Sequence, residues 1–66
     1  MKTIKVSAII KALLKDGWYL DKHDGTSHRQ FKHPTKKGKV TINGKLSDER
    51  SGFLLKSIER QSGIKF

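Results

Sequence analysis

Three histidines, His23, His28 and His33, are spaced five residues apart in a stretch dense with cations: Lys22, Arg29, Lys32, Lys36, Lys37 and Lys39. An imidazole with its ordinary pKa of about 6.5 can take up or release a proton at neutral pH. A Lys or Arg beside it can stabilise negative charge developing on a phosphate. These residue types together suffice for phosphodiester chemistry. They do not by themselves select one histidine, because a lone exposed His is ordinarily just a polar surface group. They do not read as a metal site either. The chain has no Cys, and none of the three pairs has the helical i, i+4 spacing of a zinc site. No metal and no cofactor are expected.

The charge balance points the same way. The 66 residues carry 15 Lys+Arg against 6 Asp+Glu, a formal net charge of +9. Such an excess on a small surface creates a positive field that attracts polyanions. RNA, DNA, an anionic membrane and an acidic protein all remain open as partners on charge alone, and some of the lysines serve solubility. The length allows one domain, residues 1–66, with a small core and modest stability. Without Cys there are no disulfides, which fits a reducing cytoplasm. No apolar run approaches the ~20 residues needed to span a bilayer. Lys11, Lys15 and Asp16 interrupt any apolar stretch behind Met1-Lys2, so no secretory signal is expected. A membrane-surface role is weaker still, because neither predicted helix combines a basic face with a large aromatic one.

The histidines need elements to hold them. Val6, Ile9, Ile10, Leu13 and Leu14 form the stripe of an amphipathic helix. The helix is expected over about 7–16, with Ser7 as its N-cap and Gly17 as its left-handed stop. Trp18-Tyr19-Leu20-Asp21 is bulky and β-prone, and Asp24-Gly25 marks a turn. A second strand is expected over 27–33, ending before Pro34. The turn Thr35-Lys36-Lys37-Gly38 leads into a third strand over 39–43, with Val40 and Ile42 facing inward. Ser47 or Asp48 can cap a last helix over about 50–62, although Gly52 moves its start later. Phe53, Leu54, Leu55 and Ile58 are its expected apolar face, and Ile64 or Phe66 can fold back over its end.

The order helix, three strands, helix predicts an α+β fold. In it, a three-stranded antiparallel meander is covered by two helices on one face only. Strand alternation puts His28, Gln30 and Lys32 on one face of the second strand and Arg29, Phe31 and His33 on the other. Phe31 turns its face toward the core, so His28 and Lys32 lie on the open platform. Trp18 and Phe31 read as core. Tyr19 alternates away from Trp18 and could stack on a base, although packing is its ordinary role.

The segment Gly25-Thr26-Ser27-His28-Arg29-Gln30-Phe31-Lys32-His33-Pro34 resembles the signature of the HicA family of toxin–antitoxin ribonucleases. Asp16-Gly17-Trp18-Tyr19, Val40-Thr41-Ile42 with Ser47-Asp48-Glu49, and Ser57-Ile58 with Gln61-Ser62-Gly63-Ile64 resemble the rest of that family in order. The resemblance implies a fold similar to a double-stranded-RNA-binding domain, αβββα. It also implies metal-independent cleavage of mRNA that halts translation, and a HicB-type antitoxin that blocks the site. It identifies His28 as the catalytic histidine. Two departures stand out. Thr26 separates Gly25 from Ser27 where many members have Gly-Ser-His, and Asn43-Gly44-Lys45 stands where many have a His after the third strand.

On this reading, neutral His28 is the general base acting on the RNA 2′-hydroxyl. Within the strand its helper at the phosphate is Lys32, ahead of Arg29, which points away. Gly25, Ser27, Arg29, Lys32, Lys36, Lys37 and Lys39 are the expected RNA-contacting residues, with Lys22 flanking them. Modules of this kind read backbone shape, phosphates and 2′-hydroxyls more than base identity. His33 should lie on the opposite face, and His23 belongs to the turn region. The expected protein is a cytoplasmic endoribonuclease, a monomer when free and part of a hetero-oligomer with its antitoxin. The alternatives are a non-catalytic RNA-binding module and a degenerate toxin kept for antitoxin binding. Cleavage assays separate the first from the enzyme, and a tight acidic partner without an RNA phenotype would mark the second.

Overall fold

The computed structural model describes residues 2–23 and 28–66. The elements in order are strand β1 (Thr3–Lys5), helix α1 (Val6–Lys15), strands β2 (Tyr19–His23), β3 (Arg29–Lys32) and β4 (Lys39–Ile42), strand β5 (Glu49–Ser51) and helix α2 (Gly52–Ser62). β2, β3 and β4 form a three-stranded antiparallel sheet in that order. Val6, Ile9 and Leu13 of α1 and Leu55 and Ile58 of α2 share one buried cluster with Trp18, Phe31, Val40 and Ile42. The fold is the expected α+β arrangement, αβββα and similar to a double-stranded-RNA-binding domain.

Helix α1 packs through the i, i+3, i+7 subset of its apolar stripe. Ile10 is half-buried, and Leu14 is exposed. The helix starts one residue before Ser7, and no side chain caps it. The first free amides are satisfied by main chain instead: Val6 N–H donates to the Asp48 carbonyl (2.8 Å) and Ser7 N–H to that of Leu46 (3.1 Å). The expected Ser7 cap is thus replaced by a loop folded over the helix end, which meets the same requirement that terminal amides find acceptors. Helix α2 begins at Gly52, as the weak helix propensity there suggested, and neither Ser47 nor Asp48 is its cap. Ser51 holds that position without a side-chain bond, while the Asp48 carboxylate accepts from Lys45 N–H and closes a turn. Gly63, in the left-handed region at φ 74°, ends α2.

Two further features depart from the sequence reading. A two-stranded ribbon, β1 against β5, pairs Thr3 with Ser51 and Lys5 with Glu49. Because α1 follows β1 and α2 follows β5 directly, this ribbon ties the starts of the two helices together. The apolar face of α2 is also narrower than expected: Leu55 and Ile58 are buried, whereas Phe53 is 82% exposed and Leu54 57% exposed. With 3.6 residues per turn, Phe53 falls on the far side of the helix from Ile58, whereas Leu54, one turn before Ile58, lies at the edge of the inward stripe. Ile64 and Phe66 do pack back against the core.

Candidate functional site

The site is assembled by register. In an antiparallel pair, residues directly opposite one another project to the same face. Tyr19 lies opposite Lys32, and Lys32 opposite Lys39. Lys22 lies opposite Gln30, and Gln30 opposite Thr41. Phe31 and Val40 occupy the buried face between these rows. The face away from the helices therefore carries Tyr19, Lys32 and Lys39 in one row and Lys22, Gln30 and Thr41 in the next. His28 precedes β3 and is exposed. Continued alternation from Gln30 and Lys32 sets it on this same open face.

A bulge decides which β2 side chains join it. The register between β2 and β3 shifts between Leu20 and Lys22, so Asp21 is an extra residue on its strand. Simple alternation from Tyr19 would have put His23 on the open face and Lys22 on the covered one. With the bulge, Lys22 faces the platform and His23, opposite Arg29, does not. Asp21 stays within 3.6 Å of the Lys32 ammonium, a solvent-exposed pair that contributes little to stability. Sequence reasoning missed this rearrangement because one inserted residue leaves no mark in the hydrophobic pattern.

The remaining expected contacts divide. Lys37 and Lys39 are exposed beside the β3–β4 turn. Arg29 is half-buried, and its Nη1 donates to the Gly44 carbonyl at 2.9 Å, on the face away from His28. The Lys36 ammonium is engaged elsewhere, donating to the Asp16 carboxylate at 2.6 Å and to the Ser62 carbonyl at 3.2 Å. It fastens the end of α1 to the end of α2. Gly25 and Ser27, with Thr26 between them, lie outside the described residues.

His33 belongs to that same fastening. Its Nδ1 accepts from the main-chain amides of Thr35 and Lys36, both at 3.1 Å. This assigns the proton to Nε2, which donates to the Asp16 carbonyl at 2.9 Å. The ring sits edge-on to Trp18, with centroids 5.2 Å apart. Gly17 makes room for it: a Cβ there would come within 2.9 Å of His33 Nε2, and the φ of +105° is itself a glycine conformation. The Lys36 hydrogen bond and charge hold the Asp16 carboxyl below its usual range, against a smaller opposing effect of desolvation. Trp18 adds a weaker pull in the same direction, although the indole N–H has no acceptor at full hydrogen-bond geometry. Among the described residues, no three His, Asp or Glu side chains are grouped to hold a metal ion.

Over residues 6–64 the chain matches the family described as "HicA toxin of bacterial toxin-antitoxin". The chain belongs to the HicA toxin family. None of the curated proteins compared with it matches. The matched span takes in both helices, the whole sheet and His28. This HicA chain is accordingly a toxin of a toxin–antitoxin system, with an antitoxin as its partner. No helix among its described residues is long and apolar enough to cross a membrane.

Proposed function

We propose that this toxin is a metal-independent endoribonuclease that cleaves mRNA in the cytoplasm and so stops translation, with His28 as its catalytic base. One observation carries the reading. The histidine picked out by the family signature is exposed immediately before the central strand, and the strand's alternation, continued past its first residue, aligns it with Gln30 and Lys32 on the face that also carries Lys22 and Lys39. RNA brings its own nucleophile. His28 takes the proton of a 2′-hydroxyl, the 2′-oxygen bonds to the adjacent phosphorus, and the bond to the 5′-oxygen breaks. Solvent, which has free access to this face, returns a proton to the departing oxygen. The products are a 2′,3′-cyclic phosphate and a free 5′-hydroxyl. Lys32, held near Asp21, and Lys22 meet the charge that builds on the phosphorane. Lys39 and Lys37 extend the cationic surface beside the β3–β4 turn; Gly25 and Ser27 of the signature are further RNA contacts on this reading, while Arg29 is turned to the other face. His33 has no part in the step, because both its ring nitrogens are engaged, one with the end of α1 and the other with the amides of the turn after β3.

The test is incubation of purified toxin with RNA in excess chelator. Wild type is expected to cleave and leave cyclic-phosphate ends, while folded His28→Ala binds the RNA and leaves it intact. Full cleavage by His28→Ala removes the assignment. Binding without cleavage by wild type across pH 6 to 8, the range about the imidazole pKa, makes the chain a binding module instead.

A further inference from the structure

Tyr19 opens β2 on the sheet face that the helices leave uncovered, and its direction is fixed from both sides. Trp18 before it is buried, and Leu20 after it lies opposite the buried Phe31. Alternation therefore turns the phenol ring outward between them. The ring is 48% exposed and stands outside the core cluster, so filling the core does not account for a large aromatic at this position.

Its surroundings suit an unpaired nucleotide. Across the sheet, Tyr19 is followed in its own row by Lys32 and Lys39, with neighbouring strands about 4.8 Å apart. Charge is uneven along that row. The Lys32 ammonium lies 3.6 Å from the Asp21 carboxylate of β2, whereas Lys39 on β4 is exposed, with Lys37 exposed nearby. A phosphate is drawn to the β4 side and repelled by the carboxylate on the β2 side. A nucleotide lying across the row with its phosphate toward Lys39 thus turns its base toward Tyr19. A cationic track beside an aromatic ring is how proteins hold single strands: the backbone follows the cations and a base stacks on the ring. In an A-form duplex the same ring meets base edges and 2′-hydroxyls, with no base face to cover it.

We infer that Tyr19 is a base-stacking residue through which the platform selects an unpaired stretch of RNA. This rests on the reading of the open face as the RNA-binding surface. Lys32, opposite Tyr19, is four residues from His28, at most about 14 Å of extended chain. The stacked base therefore belongs to a nucleotide flanking the one presented to His28. Tyr19 touches that base and not the reacting atoms, so it is a positioning residue.

The test uses the full chain and a single-stranded RNA oligomer with 2′-O-methyl groups, which lacks the nucleophile and stays intact while binding is measured. The chain has one Tyr, so the tyrosine ring signals in a proton spectrum belong to Tyr19. They are expected to move upfield when a base covers the ring; ring signals that stay in place at saturating oligomer overturn the inference. Tyr19→Phe is expected to bind as wild type does. Tyr19→Ala and Tyr19→Leu are each expected to weaken binding about tenfold or more, with the slope of log affinity against log salt unchanged, because no phosphate contact is lost. Wild-type affinity in Tyr19→Leu means that the ring supplies apolar area alone and overturns the stacking. An equal loss on a blunt duplex of the same sequence overturns the selection of unpaired RNA. Ring-dependent binding by a wild type that leaves unmodified RNA intact keeps this site and removes the nuclease. Cleavage by a wild type whose Tyr19→Ala variant binds and cleaves equally well does the opposite. No RNA binding by the wild type overturns both.

Discussion

His28 and His33 bracket the same strand, five residues apart, and meet opposite environments. His33 lies on the covered side, where its ring accepts two main-chain amides, donates to the end of α1 and packs against Trp18. His28 is exposed just before the strand, where alternation continued from Gln30 and Lys32 sets it on the side the helices leave open. The two imidazoles are chemically identical, so any difference in role comes from the partners around them. A ring with both nitrogens committed serves as a clamp, and an exposed ring can be reached by a substrate.

The comparison can be broken from either side. His28→Ala is expected to lower RNA cleavage by about 10²–10⁴, the usual contribution of a positioned acid or base, with the thermal midpoint nearly unchanged; a large loss of stability would make His28 structural. His33→Ala should do the reverse. It leaves two amides and a carbonyl without their partner and is expected to cost about 1–3 kcal/mol in denaturant unfolding, while the folded fraction still cleaves RNA. A stable His33→Ala protein without activity would move the chemistry to the wrong histidine. Gly17→Ala tests the same clamp from beneath, through its positive φ and the ring above it, and should destabilise by about 1 kcal/mol or more.

Smaller effects sharpen the picture. Lys32→Ala and Lys39→Ala are each expected to weaken RNA binding modestly and to lower the slope of log affinity against log salt by about one. Lys36→Ala, whose ammonium is tied to Asp16 and Ser62, should change that slope less and the thermal midpoint more. An equal slope change for Lys36→Ala would mean that its helix-end bonds open on the RNA. Asp16 gives the smallest effect. Its carboxyl is held below the usual range in the folded chain, so the unfolded chain takes up its proton first as pH falls. The stabilising effect is complete above the usual carboxylate value of about 3.9 and disappears as pH drops through the lower folded value. Asp16→Asn should flatten that acid limb in unfolding measurements while leaving cleavage unchanged.

Much of this was legible in the residues. The stripe Val6, Ile9, Leu13 and the pair Val40, Ile42 announced a helix and a strand, because periods of 3.6 and 2 follow from backbone geometry alone. The same alternation separated Phe31 from His28 and Lys32. Three things were not legible. The bulge at Asp21 exchanged Lys22 for His23 on the open face, and a one-residue insertion has no periodic signature. The β1–β5 ribbon joins segments more than forty residues apart with three residues each, too short for a pattern. Lys36 looked like its neighbour Lys37, and only its distance to Asp16 and Ser62 distinguishes them.

By itself, then, the sequence determined the order of elements, the inward set of side chains, the cationic character of the surface and the family signature around His28. These are properties of local periodicity, composition and residue type. The tertiary structure alone decided which cations share a face and which histidine clamps the end of α1. Those depend on register and on contacts between residues far apart in the chain, where a shift of one residue turns a side chain from one face of the sheet to the other.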